Sequence, residues 1–239
     1  KYSNKDLSLN QNKDSVLSKY KNILTKIALE NFIDQVHNTG LLSIDTETDS
    51  IKASNAKLVG ISLSCKEGEA FYLPINHNTT DKTKVLDLKY ITKKLNPLLS
   101  NSSILKIGQN IKYDLIVLKN FGFEKIYPFD DTMLMSYTLS AGLHNHNLDF
   151  LSEKYLNFKK TSFKELVRAG NKSISFADVN IDLAKNYACE DADITLRIWK
   201  ILKSLLIKNK LMRIYENIEK PLVKVITRME TNGIKIDKD

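Results

Sequence analysis

The apolar pattern of this chain changes period in a fixed order: a helix, three strands, alternating helices and strands, then helix to the end. Residues 27–37, Ile-Ala-Leu-Glu-Asn-Phe-Ile-Asp-Gln-Val-His, carry apolar side chains at helical spacing. Gly40 breaks that spacing ahead of Leu41-Leu42-Ser43-Ile44, an apolar run that reads as a buried strand. Strand-like runs over 57–65 and 69–75 flank the turn Lys66-Glu67-Gly68 and complete an antiparallel meander. A helix over 87–99, a strand over 104–108, a helix over 111–121 and a strand leading into Asp131 follow. The remainder is helical, longest over 181–207. A second stretch, 210–230, ends at Asn232-Gly233, a C-cap signal, and Pro221 kinks or divides it. This order predicts an α/β fold, a mixed five-stranded sheet flanked by helices, with a helical C-terminal extension.

Composition excludes several classes. A chain of 239 residues with 42% apolar and 27% charged residues can bury a core, which rules out global disorder. No apolar run approaches the ~20 residues needed to cross a bilayer. The polar stretch Lys1–Asp14 lacks the apolar core of a secretory signal. Cys65 and Cys189 form neither a disulfide framework nor a zinc cluster, so a reducing, cytoplasmic setting is expected. Residues 1–19 read as a linker or frayed terminus, and the start at Lys1 as that of a piece of something longer. The formal charge of +8 points to an anionic partner such as nucleic acid. That pointer is weak: only four of the 36 basic residues are arginines, and an AT-rich coding sequence produces the same lysine excess.

The acids are more informative. Asp45-Thr46-Glu47 ends the first strand, and alternate strand positions share a face, so Asp45 and Glu47 project together over one end of the sheet. Paired carboxylates behind an apolar strand are costly without a positive charge between them. A divalent cation supplies it, Mg²⁺ being suited to one or two carboxylates plus water and phosphate oxygens. Gly108-Gln109-Asn110-Ile111-Lys112-Tyr113-Asp114 follows a strand and opens a helix, with Asn110 and Asp114 on one face; capping and the helix dipole explain the pair equally well. In the long helix, Tyr187 and Asp191 are one turn apart, on the side of Ile194, Ile198, Ile201 and Leu205 that faces the protein body. Glu190 and Asp193 fall off that face and read as solvated, and Cys189 as a packing residue. The four histidines lack zinc spacing, and no glycine-rich phosphate loop or nucleophile elbow is present.

Together the three motifs resemble the DEDDy 3′→5′ exonucleases. Asp45-Thr46-Glu47-Thr48-Asp49-Ser50, Gly108–Asp114 and Tyr187-Ala188-Cys189-Glu190-Asp191-Ala192-Asp193 are similar to the proofreading domains of bacterial family A DNA polymerases. Residues 216–223 and 232–237 resemble the start of the polymerase part, whose catalytic motifs are absent. The resemblance implies a ribonuclease H-like fold and a division into a linker at 1–19, an exonuclease domain at 20–208 and a truncated polymerase start at 209–239. It also implies two divalent metal ions, Mg²⁺ with Mn²⁺ or Zn²⁺ as alternatives, held by Asp45, Glu47, Asp114 and Asp191. Tyr187 would hold the attacking water. Gln109 and Asn110 would bond to the DNA strand, and Ile51 and Phe176 would pack against the terminal nucleotide.

The implied activity is metal-dependent removal of misincorporated nucleotides from single-stranded or frayed DNA 3′ ends. Its setting would be a monomer, covalently linked to a polymerase domain, in a bacterial cytoplasm at the nucleoid or in an organelle. An RNase D-like RNA-trimming exonuclease and a catalytically silent DNA-holding scaffold are the alternatives.

Overall fold

The computed structural model describes residues 19–78, 85–169 and 172–237, so the expected linker, apart from Lys19, lies outside the described residues. The first element is a strand, β1 (Tyr20–Asn22). It is followed by α1 (Lys26–Thr39), whose ends have local causes. The Thr25 hydroxyl accepts from Ala28 N at its start, and Gly40, left-handed at φ 67, returns its N–H to Val36 O at its end. The chain then turns into β2 (Leu41–Thr48), β3 (Leu58–Lys66) and β4 (Glu69–Pro74). α2 (Leu88–Ser100), β5 (Leu105–Gly108), α3 (Ile111–Asn120) and β6 (Phe129–Asp131) complete the alternating part. α4 (Thr132–Ser140), α5 (Leu148–Leu156), the single turn α6 (Phe163–Leu166), the hairpin β7 (Arg168–Ala169) and β8 (Lys172–Ser173), and the long α7 (Ile181–Lys208) follow.

The sheet has six strands rather than five, in the order β1-β4-β3-β2-β5-β6. The added strand pairs in parallel with β4, Tyr20 opposite Ala70. Three residues are too few to show alternation. Tertiary contacts hold them: Tyr20 is buried, and its hydroxyl donates to Asp193 at 3.0 Å. β2 lies at the centre, antiparallel to β3 (Asp45 opposite Ser62) and parallel to β5 (Ser43 opposite Ile107). Leu42 and Ile44 enter the core shared with Leu29, Phe32, Val36 and Ile91 of α1 and α2. The alternate positions, Asp45 and Glu47, therefore face α7, which crosses β2, β3 and β4 on the other side. No described helix is long and apolar enough to cross a membrane.

The C-terminal stretch is divided, as Pro221 predicts. A short helical turn at Met212–Ile214 runs into a π-helical segment, Tyr215–Glu219, before α8 (Lys220–Asn232). Proline lacks an N–H and cannot close the regular bond to the preceding turn, so the irregular segment falls immediately upstream. This stretch is tied to the sheet through buried Asp130 of β6. Asp130 accepts from Trp199 Nε1 at 2.8 Å and Tyr215 Oη at 3.2 Å, and pairs with Lys203 and Lys220 at 3.1 and 2.9 Å. Burial alone would raise the Asp130 pKa, but these partners outweigh it and hold the carboxyl below its ordinary range.

Candidate active site

A register shift between β2 and β3 falls between Glu47 and Thr48, where the acidic motif leaves the strand. Such a bulge bends the strand and re-aims its side chains. Here Asp45 and Glu47 meet Asp191 of α7, each offering an oxygen, all within 4.8 Å of one another. Tyr187, one helical turn before Asp191, shares a cavity of about 540 Å³ with the three acids. The pairing of strand end and late helix expected from sequence therefore forms. Glu190 and Asp193 are not solvated, however. Glu190 is buried and takes the backbone N–H and hydroxyl of Thr161 at 2.6 and 3.1 Å. Asp193 is fully buried and accepts from Tyr20 and from Gly68 N at 2.7 Å. From Ala188 to Leu196 α7 is buried on every face, because β1, the β3–β4 turn and the 158–162 segment wrap the side that helical periodicity alone leaves open. Cys189 is buried in the core, as expected.

Asp114 is brought close but held aside. One of its oxygens accepts from the Thr46 backbone N–H at 3.0 Å and the Thr46 hydroxyl at 2.6 Å, so α3 is stitched to the middle of the acidic motif. Asn110 occupies the N-cap position of α3 in a left-handed conformation (φ 59), with no side-chain capping bond. Capping therefore does not account for it, and Asn110 is among the residues that line the cavity. The capping is done by Asp131, which periodicity did not single out. Asp131 accepts from Asn110 N and Ile111 N at 3.1 and 2.9 Å and from Met133 N at the start of α4. One buried carboxylate thus serves two helix N-termini. Gln109 is used internally rather than facing the cavity. Its amide donates to His146 O at 2.8 Å and accepts from Thr132 Oγ1 at 2.5 Å.

The cavity has an apolar rim. Ile51 is 94% exposed on the loop after β2. That loop is held by Lys57 N donating to Asp49 at 2.8 Å and by a short Tyr113 Oη bond to Ser50 O. Phe176 lines the cavity too but is only 2% exposed. Its ring stacks at 6.3 Å on Phe163, which is 46% exposed and was not legible in the sequence. Phe176 therefore backs an aromatic surface that Phe163 and Tyr187 present.

Lys160 was also missed. Its ammonium pairs closely with Asp191 and stands 3.5 Å from Asp149. In sequence it is one of two lysines in an aperiodic loop, which reads as solvated; only the fold brings it to α7. Even with this cation, burial and mutual repulsion push the acids up. Asp45 is raised by desolvation, then by Asp114, Glu47 and Asp191, and Glu47 by desolvation, then by Asp191. Asp114 is raised by desolvation to about 7, its Thr46 bonds notwithstanding, and Asp131 by burial to about 6. A raised folded-state pKa means the folded protein binds its proton more tightly than the unfolded chain does. That stabilisation is complete below about pH 4 and is lost as pH rises through the folded value. In chelator, the folding stability contributed by Asp114 and Asp131 is thus expected to fall from about pH 4 to about pH 7. Urea midpoints across that range measure it, and Asp114→Asn should flatten the slope; a midpoint that climbs steadily would contradict the assignment.

A family model described as 3′-5′ exonuclease matches residues 20–207, most of the chain. The chain belongs to that family. Two similar relatives are bacterial DNA polymerases I. The one from Borreliella burgdorferi is 40% identical over 92% of this chain and 24% of its own length. That of Rhizobium leguminosarum is 39% identical over 92% of this chain and 23% of its own length. The exonuclease domain thus spans about a quarter of the polymerases it matches. Among solved structures, Escherichia coli RNase D superposes with a TM-score of 0.67 at 17% identity, covering 90% of this chain and 51% of that one. That likeness shows the shared α/β exonuclease fold, a mixed sheet flanked by helices. Family membership makes the domain a nuclease, and the acidic trio at its centre offers oxygens to a divalent metal ion.

Proposed function

We propose that this domain hydrolyses the terminal phosphodiester at DNA 3′ ends, as the proofreading part of a longer polymerase chain in the bacterial cytoplasm. Residues 20–208 form the exonuclease unit, and 209–239 begin the polymerase part. The observation that carries the reading is the convergence of Asp45, Glu47 and Asp191 beside an open cavity with an apolar rim. The acids fit divalent metal ions: Glu47 Oε1 is buried with no hydrogen-bond partner among the described residues, as expected of an oxygen reserved for a ligand. Asp45, Glu47, Asp191 and Asp114, the last with the oxygen that Thr46 does not engage, would hold two ions, Mg²⁺ first among the candidates. Bound there, the ions supply positive charge for the attacking and leaving oxygens of an in-line displacement at phosphorus.

The remaining work falls to the chain. Tyr187 is pushed well above its ordinary pKa by burial and by Asp191, Glu47 and Asp45, so its phenol keeps its proton. It orients the attacking water by hydrogen bonding rather than acting as a base. Ile51 and Phe163, with Phe176 behind, grip the last base or sugar by apolar contact, which every nucleotide satisfies and an editing site requires. Asn110 offers its amide to the strand. RNase D has a similar fold, but identity near 40% to DNA polymerases I favours DNA. The test is digestion of matched 3′-labelled DNA and RNA single strands with Mg²⁺ and with chelator. Stepwise shortening of DNA, faster than RNA and abolished by chelator while the far-ultraviolet spectrum is unchanged, is the expected result. Preferential loss of RNA would transfer the domain to RNA trimming.

A further inference from the structure

We propose that Lys160 is the resident cation of the carboxylate cluster, and that a divalent ion enters only by displacing its ammonium from Asp191 toward Asp149. This rests on reading the cluster as the metal site. The Lys160 side chain is 4% exposed, its Nζ is paired with Asp191 Oδ1, and the Tyr187 ring centroid is 5.2 Å away. Its place is built rather than incidental. The next residue, Thr161, is bound through both its backbone N–H and its hydroxyl to buried Glu190, the neighbour of Asp191 on α7. Glu190, which neither touches the cavity nor caps a helix, thereby has a role: it sets the loop so that the lysine falls on the adjacent aspartate.

An ammonium and a divalent ion repel strongly at contact distance in a partly desolvated site, so the two compete for Asp191. A displaced ammonium must not be left unpaired in a buried position, which would be costly. Asp149 provides the alternative partner. It lies 3.5 Å from Nζ on the outer side, with its own side chain exposed on α5. Lys160 thus moves from one carboxylate to another as the ion arrives. Without metal it neutralises part of a cluster whose members repel one another. Metal affinity is set by this exchange as well as by the ligands, so Lys160 is a positioning residue that raises the ion concentration at which the site fills.

Mn²⁺ binding to the folded domain, read from the electron paramagnetic resonance of the free ion, tests this without reference to cleavage. Lys160→Met keeps the bulk of the side chain and removes the charge. It should bind Mn²⁺ about tenfold more tightly than the native protein, with a larger Mn²⁺-induced rise in melting temperature. Asp149→Asn, at an exposed position that leaves the fold undisturbed, should weaken Mn²⁺ binding several-fold, and the effect should vanish when Lys160→Met is also present. Equal or weaker Mn²⁺ binding by Lys160→Met overturns the displacement, as does an Asp149→Asn effect that persists without the lysine. If Lys160→Met fails to fold, unchanged affinity in Asp149→Asn overturns it alone. Asp191→Asn separates the two readings: native Mn²⁺ affinity in that variant would overturn the metal site itself, whereas loss of binding upholds the site at which the exchange takes place.

Discussion

Asp45→Ala should lower the rate of 3′-end hydrolysis by a factor of about 10²–10³ or more while making the metal-free protein more stable. The two effects share one cause. Asp45 stands among Glu47, Asp114 and Asp191 at the end of a central strand, where desolvation and the neighbouring carboxylates raise its pKa. Those terms oppose folding at neutral pH and are the same terms that attract a divalent cation. Removing the carboxylate relieves the repulsion, and a gain of about 1 kcal/mol would raise the melting temperature by roughly 2–4 °C in a domain of this size. Thermal unfolding in chelator and single-strand digestion in Mg²⁺ measure the pair. Lost activity with lost stability would mean that Asp45 holds the fold. Unchanged activity would restore the reading of a DNA-holding scaffold with a silent site.

Tyr187→Phe should slow cleavage by about 10–10² while changing DNA affinity by less than about twofold. The ring is part of the aromatic surface with Phe163 and Phe176, and phenylalanine preserves those contacts. Only the hydroxyl is lost. If the hydroxyl orients water, the loss appears in the single-turnover rate and is absent from binding measured in chelator. Equal losses in both would make Tyr187 a DNA contact and leave the attacking water without a protein partner.

Much of this domain is legible in its sequence because its elements declare themselves locally. The helix-to-strand change at Gly40, the turn at Lys66-Glu67-Gly68 and the break near Pro221 all depend on backbone preferences of a few adjacent residues. β1 was not legible: three residues cannot show a period, and the strand exists because β4 offers an edge and Asp193 an acceptor for Tyr20. Asp193 and Glu190 were misplaced on the solvent side for a related reason. Helical spacing distinguishes faces but does not say how many of them the rest of the chain will cover.

The site divides along the same line. Asp45 and Glu47 share a strand face, and Tyr187 and Asp191 a helix face, by the fixed geometry of their elements, so sequence alone determined both pairs. That the pairs meet, that Asp114 is retained by Thr46, that Asp131 rather than Asn110 caps α3, and that Lys160 lies against Asp191 were decided only by the tertiary structure. These partners are separated by tens of residues. Burial in a common low-dielectric region couples them, and no periodicity within a single element encodes that.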